Sequence, residues 1–408
     1  MGLYKTAPPL SGRMGALWSL ASVRDAAVIE FGCMGHMVYG RTFLHRMGVH
    51  GGHLYSTHLG ETDIAMGDTS RLFKTVRYLM DEERPNTIFL LPSSVPEIIG
   101  VDLDALSREL SAQFPETRFF PVSAGGFGLR GHQGVEQTLL QLAGKLPKDS
   151  DKTQTPTFNI IGSCADMFRF GPDAAELSRL MEGAFHVKPL CVMTSDAGVA
   201  ELERMGGAHM NLVIRREGEA AAQALQKRFG TPYLSARPYG IQGTGDWLRK
   251  IESLCGIGID GVFLEKETAK TVEELLPLRA ILQRFLRAHP EESALTLAGH
   301  TDVVSGIADF AEAEFGFRQC RRYCDCPDTQ TSDMPYLGDK EKRAAADETR
   351  GFLMGSGELL RMAKRDGRMQ IAYPDDMWRH NYEPPFAGFR GAVHLASLWV
   401  NEVFSSKL

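Results

Sequence analysis

No run of this sequence approaches the ~18–20 apolar residues that cross a bilayer, which excludes a membrane-spanning helix. Net positive charge is also missing. Lys and Arg number 45 against 51 Asp and Glu, and the balance of −6 gives no broad attraction to nucleic acid or anionic lipid. Cysteine is sparse and odd in number, seven in 408 residues with no framework spacing. That pattern speaks for reduced thiols or metal ligands in a cytoplasmic protein, not for a disulfide scaffold. The opening stretch through Pro9 lacks the apolar core of a signal peptide. A Gly-x-Ser-x-Gly elbow, a zincin motif and the P-loop Gly-Lys-(Ser/Thr) are all absent, so hydrolase chemistry and nucleotide binding have no recognisable site.

What is present is an alternation of short apolar runs with amphipathic stretches, the grammar of α/β domains built on parallel sheets. The chain is too long for one ordinary core and fits two or three domains. In residues 1–150, Asp25–Phe31, Thr87–Leu91 and Arg118–Val122 read as strands and Ser70–Met80 has helical spacing. The polar stretch Lys148–Pro156 reads as a linker. A second unit, 156–290, holds strands at Thr157–Gly162, Lys188–Met193 and Met210–Ile214, a helix at Asp173–Gly183 and a closing helix at Leu276–His289. A third, 293–408, opens on the strand Ala294–His300 and carries a helix over Ile307–Phe315. Three Rossmann-like domains with mostly parallel sheets follow, and in such sheets ligands sit beyond the carboxyl ends of the strands.

Several chemistry-bearing residues stand at those ends. Cys33 follows the first strand between two glycines, where the backbone can approach a bulky group; it reads as a cluster ligand or as a small packed thiol. Cys164 and His300 follow strands of the second and third units. Cys320, Cys324 and Cys326, spaced four and two apart, can converge on one metal if they lie in a loop, or pack as buried or redox-sensitive thiols. Five histidines between His36 and His58 (His36, His45, His50, His53, His58) suggest a solvated, glycine-broken loop before a metal site. Gly125 and Gly126 make a turn without phosphate-binding partners.

Six stretches in order resemble the nitrogenase component 1 family: Thr6-Ala-Pro-Pro with the Gly-Cys turn, Glu61-Thr-Asp-Ile-Ala-Met-Gly67, Pro96-Glu-Ile-Ile-Gly-Val-Asp102 with Ala124-Gly-Gly-Phe-Gly128, Gly230-Thr-Pro-Tyr233, Pro238-Tyr-Gly-Ile-Gln-Gly-Thr244 with Trp247, and Pro385-Phe-Ala-Gly-Phe-Arg-Gly-Ala392. The resemblance implies that family's three-domain architecture, an iron–sulfur cluster at a subunit interface and electrons delivered by an ATP-dependent iron protein. Of the family's three cluster cysteines in this region only Cys33 is in place. Tyr55 and Ser94 fall on the other two, which leaves room for a four-iron cluster shared across an interface but not for an eight-iron one. The family's active-site cofactor is held by a cysteine, whose place falls on Arg215, and by a histidine, whose place falls near Trp378 with His380 beyond it. No nitrogenase-type active-site cofactor is therefore expected. The resemblance implies an inter-domain cavity lined by Cys164, Arg215, His300, Cys324, Cys326 and Trp378. The expected function is a nitrogenase-like oxidoreductase subunit acting on a substrate other than dinitrogen, as a homodimer or beside a paralogous subunit. The alternative is a non-catalytic scaffold or carrier for a metal cluster or cofactor.

Overall fold

The computed structural model describes residues 9–46, 53–123, 128–195, 197–348, 350–373 and 384–405. Trp378, His380, His50 and the 124–127 turn lie outside them. Among the described residues, twelve strands form three four-stranded sheets, all parallel. The first contains β1 (Ala27–Phe31), β2 (Leu54–Ser56), β3 (Thr87–Pro92) and β4 (Arg118–Pro121) in the order β2-β1-β3-β4. The second contains β5 (Thr157–Ser163), β6 (Lys188–Thr194), β7 (Met210–Val213) and β8 (Tyr233–Ser235) in the order β6-β5-β7-β8. The third contains β9 (Ala294–Gly299), β10 (Gln319–Cys324), β11 (Phe352–Ser356) and β12 (Arg368–Ala372) in the order β10-β9-β11-β12. Each sheet is thus wound the same way, with its switch point between its first and third strands. Those inner strands read as near-continuous apolar runs because helices cover both faces.

Alternation along the strands divides the core. Val28, Phe89 and Leu91 of the first sheet, Ile161 and Val213 of the second, and Leu295, Leu297 and Met354 of the third belong to one continuous apolar cluster. The opposite faces, with Ile29 and Leu90 in one case and Phe158, Ile160 and Leu212 in another, have separate cores under their own helices. All three sheets therefore turn one face toward a common centre, and the carboxyl ends of the second and third sheets meet there.

Local chemistry fixes how closely the pieces approach. The helices Gly12–Leu20 and Gly131–Lys145 pack through glycine: a Cβ on Gly15 would lie 1.9 Å from the Gly131 carbonyl oxygen, and one on Gly134 1.9 Å from that of Gly12. The helix Gly261–Ala288 begins 15 residues before the expected Leu276 and runs through Pro277. Asp260 caps its start, accepting from the Phe263 N–H at 3.0 Å. The helix Gly388–Ser405 returns to the second unit, lying against Gly240–Cys255 and Gly261–Ala288.

Candidate functional site

Each switch point carries one of the residues singled out in the sequence. At the first, Cys33 is half-buried two residues beyond β1, against the outer core of the first sheet. The glycine before it is required by space, since a Cβ on Gly32 would stand 2.2 Å from Ser93 Oγ. Phe31 pairs with Pro92, so Cys33 and Ser94 project at the same level beyond adjacent strand ends. Tyr55 does not join them. It pairs with Ile29, four residues short of Cys33 and therefore ~13 Å back along the sheet. Its hydroxyl donates to Glu83, and burial together with that bond pushes its pKa above the ordinary tyrosine range. Tyr55 is a hydrogen-bond donor here.

At the second switch point Cys164 turns inward. It is fully enclosed, its sulfur accepts from Thr194 Oγ1 at 3.7 Å, and burial pushes its thiol up to about 11. It contributes to the core and not to the cavity wall. Arg215, two residues beyond β7, crosses Gly162, whose φ of +100° and missing side chain make room for the arginine stem. Its Nη1 donates to both oxygens of Asp166 at 2.7 and 2.9 Å, and its Nε to Glu217 at 2.8 Å. At 2% exposure, with a carboxylate on each side, this guanidinium is a structural cation with little left for an acidic ligand.

The third switch point completes the chain. His300 follows β9 and places Nε2 3.0 Å from Glu217, while the Asp302 N–H lies 3.3 Å from Nδ1. Asp302 in turn accepts the Arg216 N–H at 2.8 Å. A line of charge, Asp166–Arg215–Glu217–His300, thus joins the second sheet to the third. Burial opposes charge on both Glu217 and His300, but their partners outweigh it: Glu217 is held well below the usual carboxylate range and His300 above the usual imidazole range. Glu217, His300 and Asp302 could reach a common cation, but Arg215 already neutralises Glu217.

The sign of these shifts gives a test. The stability His300 contributes is complete below the ordinary pKa of 6.5 and is lost as pH rises through its native value. Glu217 contributes above 4.5 and loses its share as pH falls through its own native value. Arg215, Glu217, Asp302 and Asp325 all face the imidazole. Thermal unfolding from about pH 5 to about pH 9 should show wild type declining on the alkaline side and His300→Gln flat there.

Around this line lies a cavity of about 150 Å³, to which all three units contribute. Trp18, Phe168, Tyr336 and Tyr373 give it aromatic walls, and Arg130, His132, His300, Asp325 and Cys326 supply polar groups. Asp325 opens onto the cavity and among the described residues its carboxyl has no hydrogen-bonding partner; burial raises its pKa, with Glu217 adding to the effect. Cys326 Sγ touches His132 Nδ1 at 2.5 Å, and His132 Nε2 lies 3.3 Å from Asp328.

The three clustered cysteines do not converge. Cys320 and Cys324 are at opposite ends of β10, ~13 Å apart, because the stretch is an edge strand instead of the loop that convergence requires. Cys324 is buried and its thiol donates to the Cys326 carbonyl at 3.1 Å. Only Cys326 reaches the cavity. Asp166, Glu217 and His132 were missed in the sequence; each acquires its role from a partner 49 to 194 positions away.

The profile of the family described as "Nitrogenase component 1 type Oxidoreductase" matches residues 11–404. Among curated proteins, a light-independent protochlorophyllide reductase subunit of Heliobacterium modesticaldum is 28% identical over 202 residues, 49% of this chain and 38% of that one. The nitrogenase iron-molybdenum cofactor biosynthesis protein NifE of Rippkaea orientalis is 27% identical over 293 residues, 66% of this chain and 58% of that one. The match thus spans well under two thirds of either relative's length. The solved structure titled "Nitrogenase Cp1 at pH 6.5" superposes with a TM-score of 0.81 at 16% identity, covering 99% of this chain and 94% of that chain, which shows a shared fold.

Proposed function

Because this chain belongs to the nitrogenase component 1 type oxidoreductases, we propose that it is an oxidoreductase subunit that accepts electrons from an ATP-dependent iron-protein reductase. It passes them to a substrate other than dinitrogen. The observation that carries this reading is the cavity at the meeting of the second and third switch points, the place where open α/β sheets hold their ligands. Its wall offers groups that can supply protons to a reduction: the thiol of Cys326, the carboxyl of Asp325 and the imidazoles of His132 and His300.

The residues do not fit a nitrogenase-type active-site cofactor. The position expected to hold its cysteine is Arg215, locked between two carboxylates; Trp378, near the expected histidine, lies outside the described residues. The enclosed part of the cavity, about 150 Å³, is of the size that holds a benzene-sized molecule, and because the cavity is partly open, a larger substrate could seat one end there. Similarity to a cofactor biosynthesis protein over 66% of the chain keeps a scaffold role as the second reading.

For the electron path, Cys33 and the neighbouring Ser94 offer one thiol and one hydroxyl per chain, too few for a four-iron cluster held mainly by thiolates. The remaining ligands would come from a partner subunit, a second copy or a paralogue. Close by, an open groove runs past Met34, Val38, Arg41 and Tyr78, and Met34, Val38 and Tyr78 are exposed, which suits a covered face. Anaerobically purified complex should contain iron and sulfide and give a reduced-state paramagnetic signal, and Cys33→Ala should lose both while staying folded. Equal iron in the two samples, or none in either, would end the relay assignment.

A further inference from the structure

We infer that the outward face of the helix Gly261–Ala288 docks, antiparallel, on the same helix of a second copy of this chain, about a twofold axis at Leu276. The contact stands apart from the electron relay and from the face beside Cys33.

This helix is apolar on two sides. Its inward side packs Thr271, Leu275, Leu282 and Leu286 into the molecule. The outward side of a helix on an isolated molecule is given to charge. Here Val262, Val272 and Leu276 stand 78%, 46% and 66% exposed, and Ala269 and Ala280 are also in solvent. From Val262 these positions follow at steps of seven, three, four and four, so all five share one stripe along the helix. Exposed apolar residues scattered singly are ordinary. A continuous stripe ~27 Å long marks a surface that is covered.

The charges on the same face name the occupant. Glu265 lies on the stripe eleven residues before Leu276, and Arg287 lies on it eleven residues after. Both are exposed, and among the described residues neither has an ion pair; Arg287 Nε donates to the Gln283 carbonyl at 3.1 Å. Four residues to either side of Leu276 stand Val272 and Ala280, one large and one small. A twofold axis at Leu276 therefore sets that leucine on its own counterpart. It also sets Val272 of each copy on Ala280 of the other, and Glu265 of each on Arg287 of the other. This reciprocity is what an isologous contact demands, and an unrelated partner does not require it.

Charge also fixes the direction. All four glutamates of the helix precede Pro277, while its three arginines follow it with no acid among them. Parallel pairing would set like charge on like, whereas antiparallel pairing sets acid on base and opposes the two helix dipoles. Exposed ion pairs contribute little affinity, so burial of the stripe drives association and the charges orient it.

Sedimentation equilibrium of the full chain over a range of concentrations tests the contact. Wild type should associate reversibly, and Leu276→Lys should reach half its limiting mass with an unchanged melting temperature. Glu265→Arg and Arg287→Glu should each weaken association about tenfold, since symmetry makes every reversal count twice. The double variant Glu265→Arg/Arg287→Glu should restore it, which a folding defect would not. In a Cys33→Ala background Leu276→Lys should still halve the mass, which separates this contact from the one beside Cys33. Mild oxidation of Leu276→Cys should link position 276 to itself across the axis, read by peptide mass spectrometry, and Val262→Cys should form no such link. Equal masses for wild type and Leu276→Lys, a double variant no tighter than either single one, or no self-link at position 276 overturns the assignment.

Discussion

Arg215→Met should cost about 3–5 kcal/mol of unfolding free energy, the loss expected when one partner of a buried ion pair is removed and the other is left uncompensated. The variant keeps the length and apolar stem that lie over Gly162. It strands two carboxylates, Asp166 and Glu217, that now share one guanidinium. His300 can compensate only Glu217. Losing Arg215 removes a cation that favours the ionised form of Glu217, so the deficit should deepen as pH rises past the carboxylate range and shrink in acid. Adding Glu217→Gln should recover part of the loss, because neighbours in one network are not additive. Urea midpoints of the single and double variants measure this. A single-variant cost under about 1 kcal/mol would mean that the chain of charge contributes nothing net to stability.

Trp399→Ala should be comparably damaging, about 3–5 kcal/mol for an aromatic truncated inside a packed core. Trp399 is 0% exposed and meets three phenylalanine rings: Phe317 at 5.2 Å, Phe315 at 5.4 Å and Phe310 at 5.7 Å between centroids. These rings belong to the third unit, while the helix carrying Trp399 also lies on the second. The side chain is thus a pin between two units, and its removal should loosen the Gly388–Ser405 helix before the sheets melt. Limited proteolysis should cut that helix first in the variant. Wild-type resistance there in Trp399→Ala would refute the pinning role.

How much of this was legible in the sequence follows from where each signal resides. The runs around Ala27, Thr87, Thr157, Lys188, Met210 and Ala294 were readable as strands because inner parallel strands are apolar throughout. β2 and β8 escaped because three-residue edge strands carry no period and are held by their neighbours' register. β10 was not read as a strand: as an edge strand it keeps Gln319, Arg321 and Arg322 partly in solvent, and that polarity hid it. The closing helix was started 15 residues late, at Leu276; it runs through Pro277, which would end an isolated helix but is tolerated here by packing of Leu275 and Leu282. In the site, His300 and Cys326 were visible as strand-end residues. Their partners were not, because nothing periodic links His132 to Cys326 or Glu217 to His300. The aligned position of the family's cysteine gave Arg215, but its sequestration by Asp166 is a tertiary fact.

The return of the Gly388–Ser405 helix has a consequence for biosynthesis. Ala387 and Phe389 complete the outer core of the second sheet, and buried Asp173 accepts the N–H groups of Phe386 and Ala387 at 2.6 and 2.9 Å. A ribosome therefore releases β5 to β8 and the helices Phe170–Phe185, Gly240–Cys255 and Gly261–Ala288 well before the segment that covers them is translated. The nascent middle domain must wait with an apolar face bare while the third is made, and it is in this interval that a chaperone would be most needed.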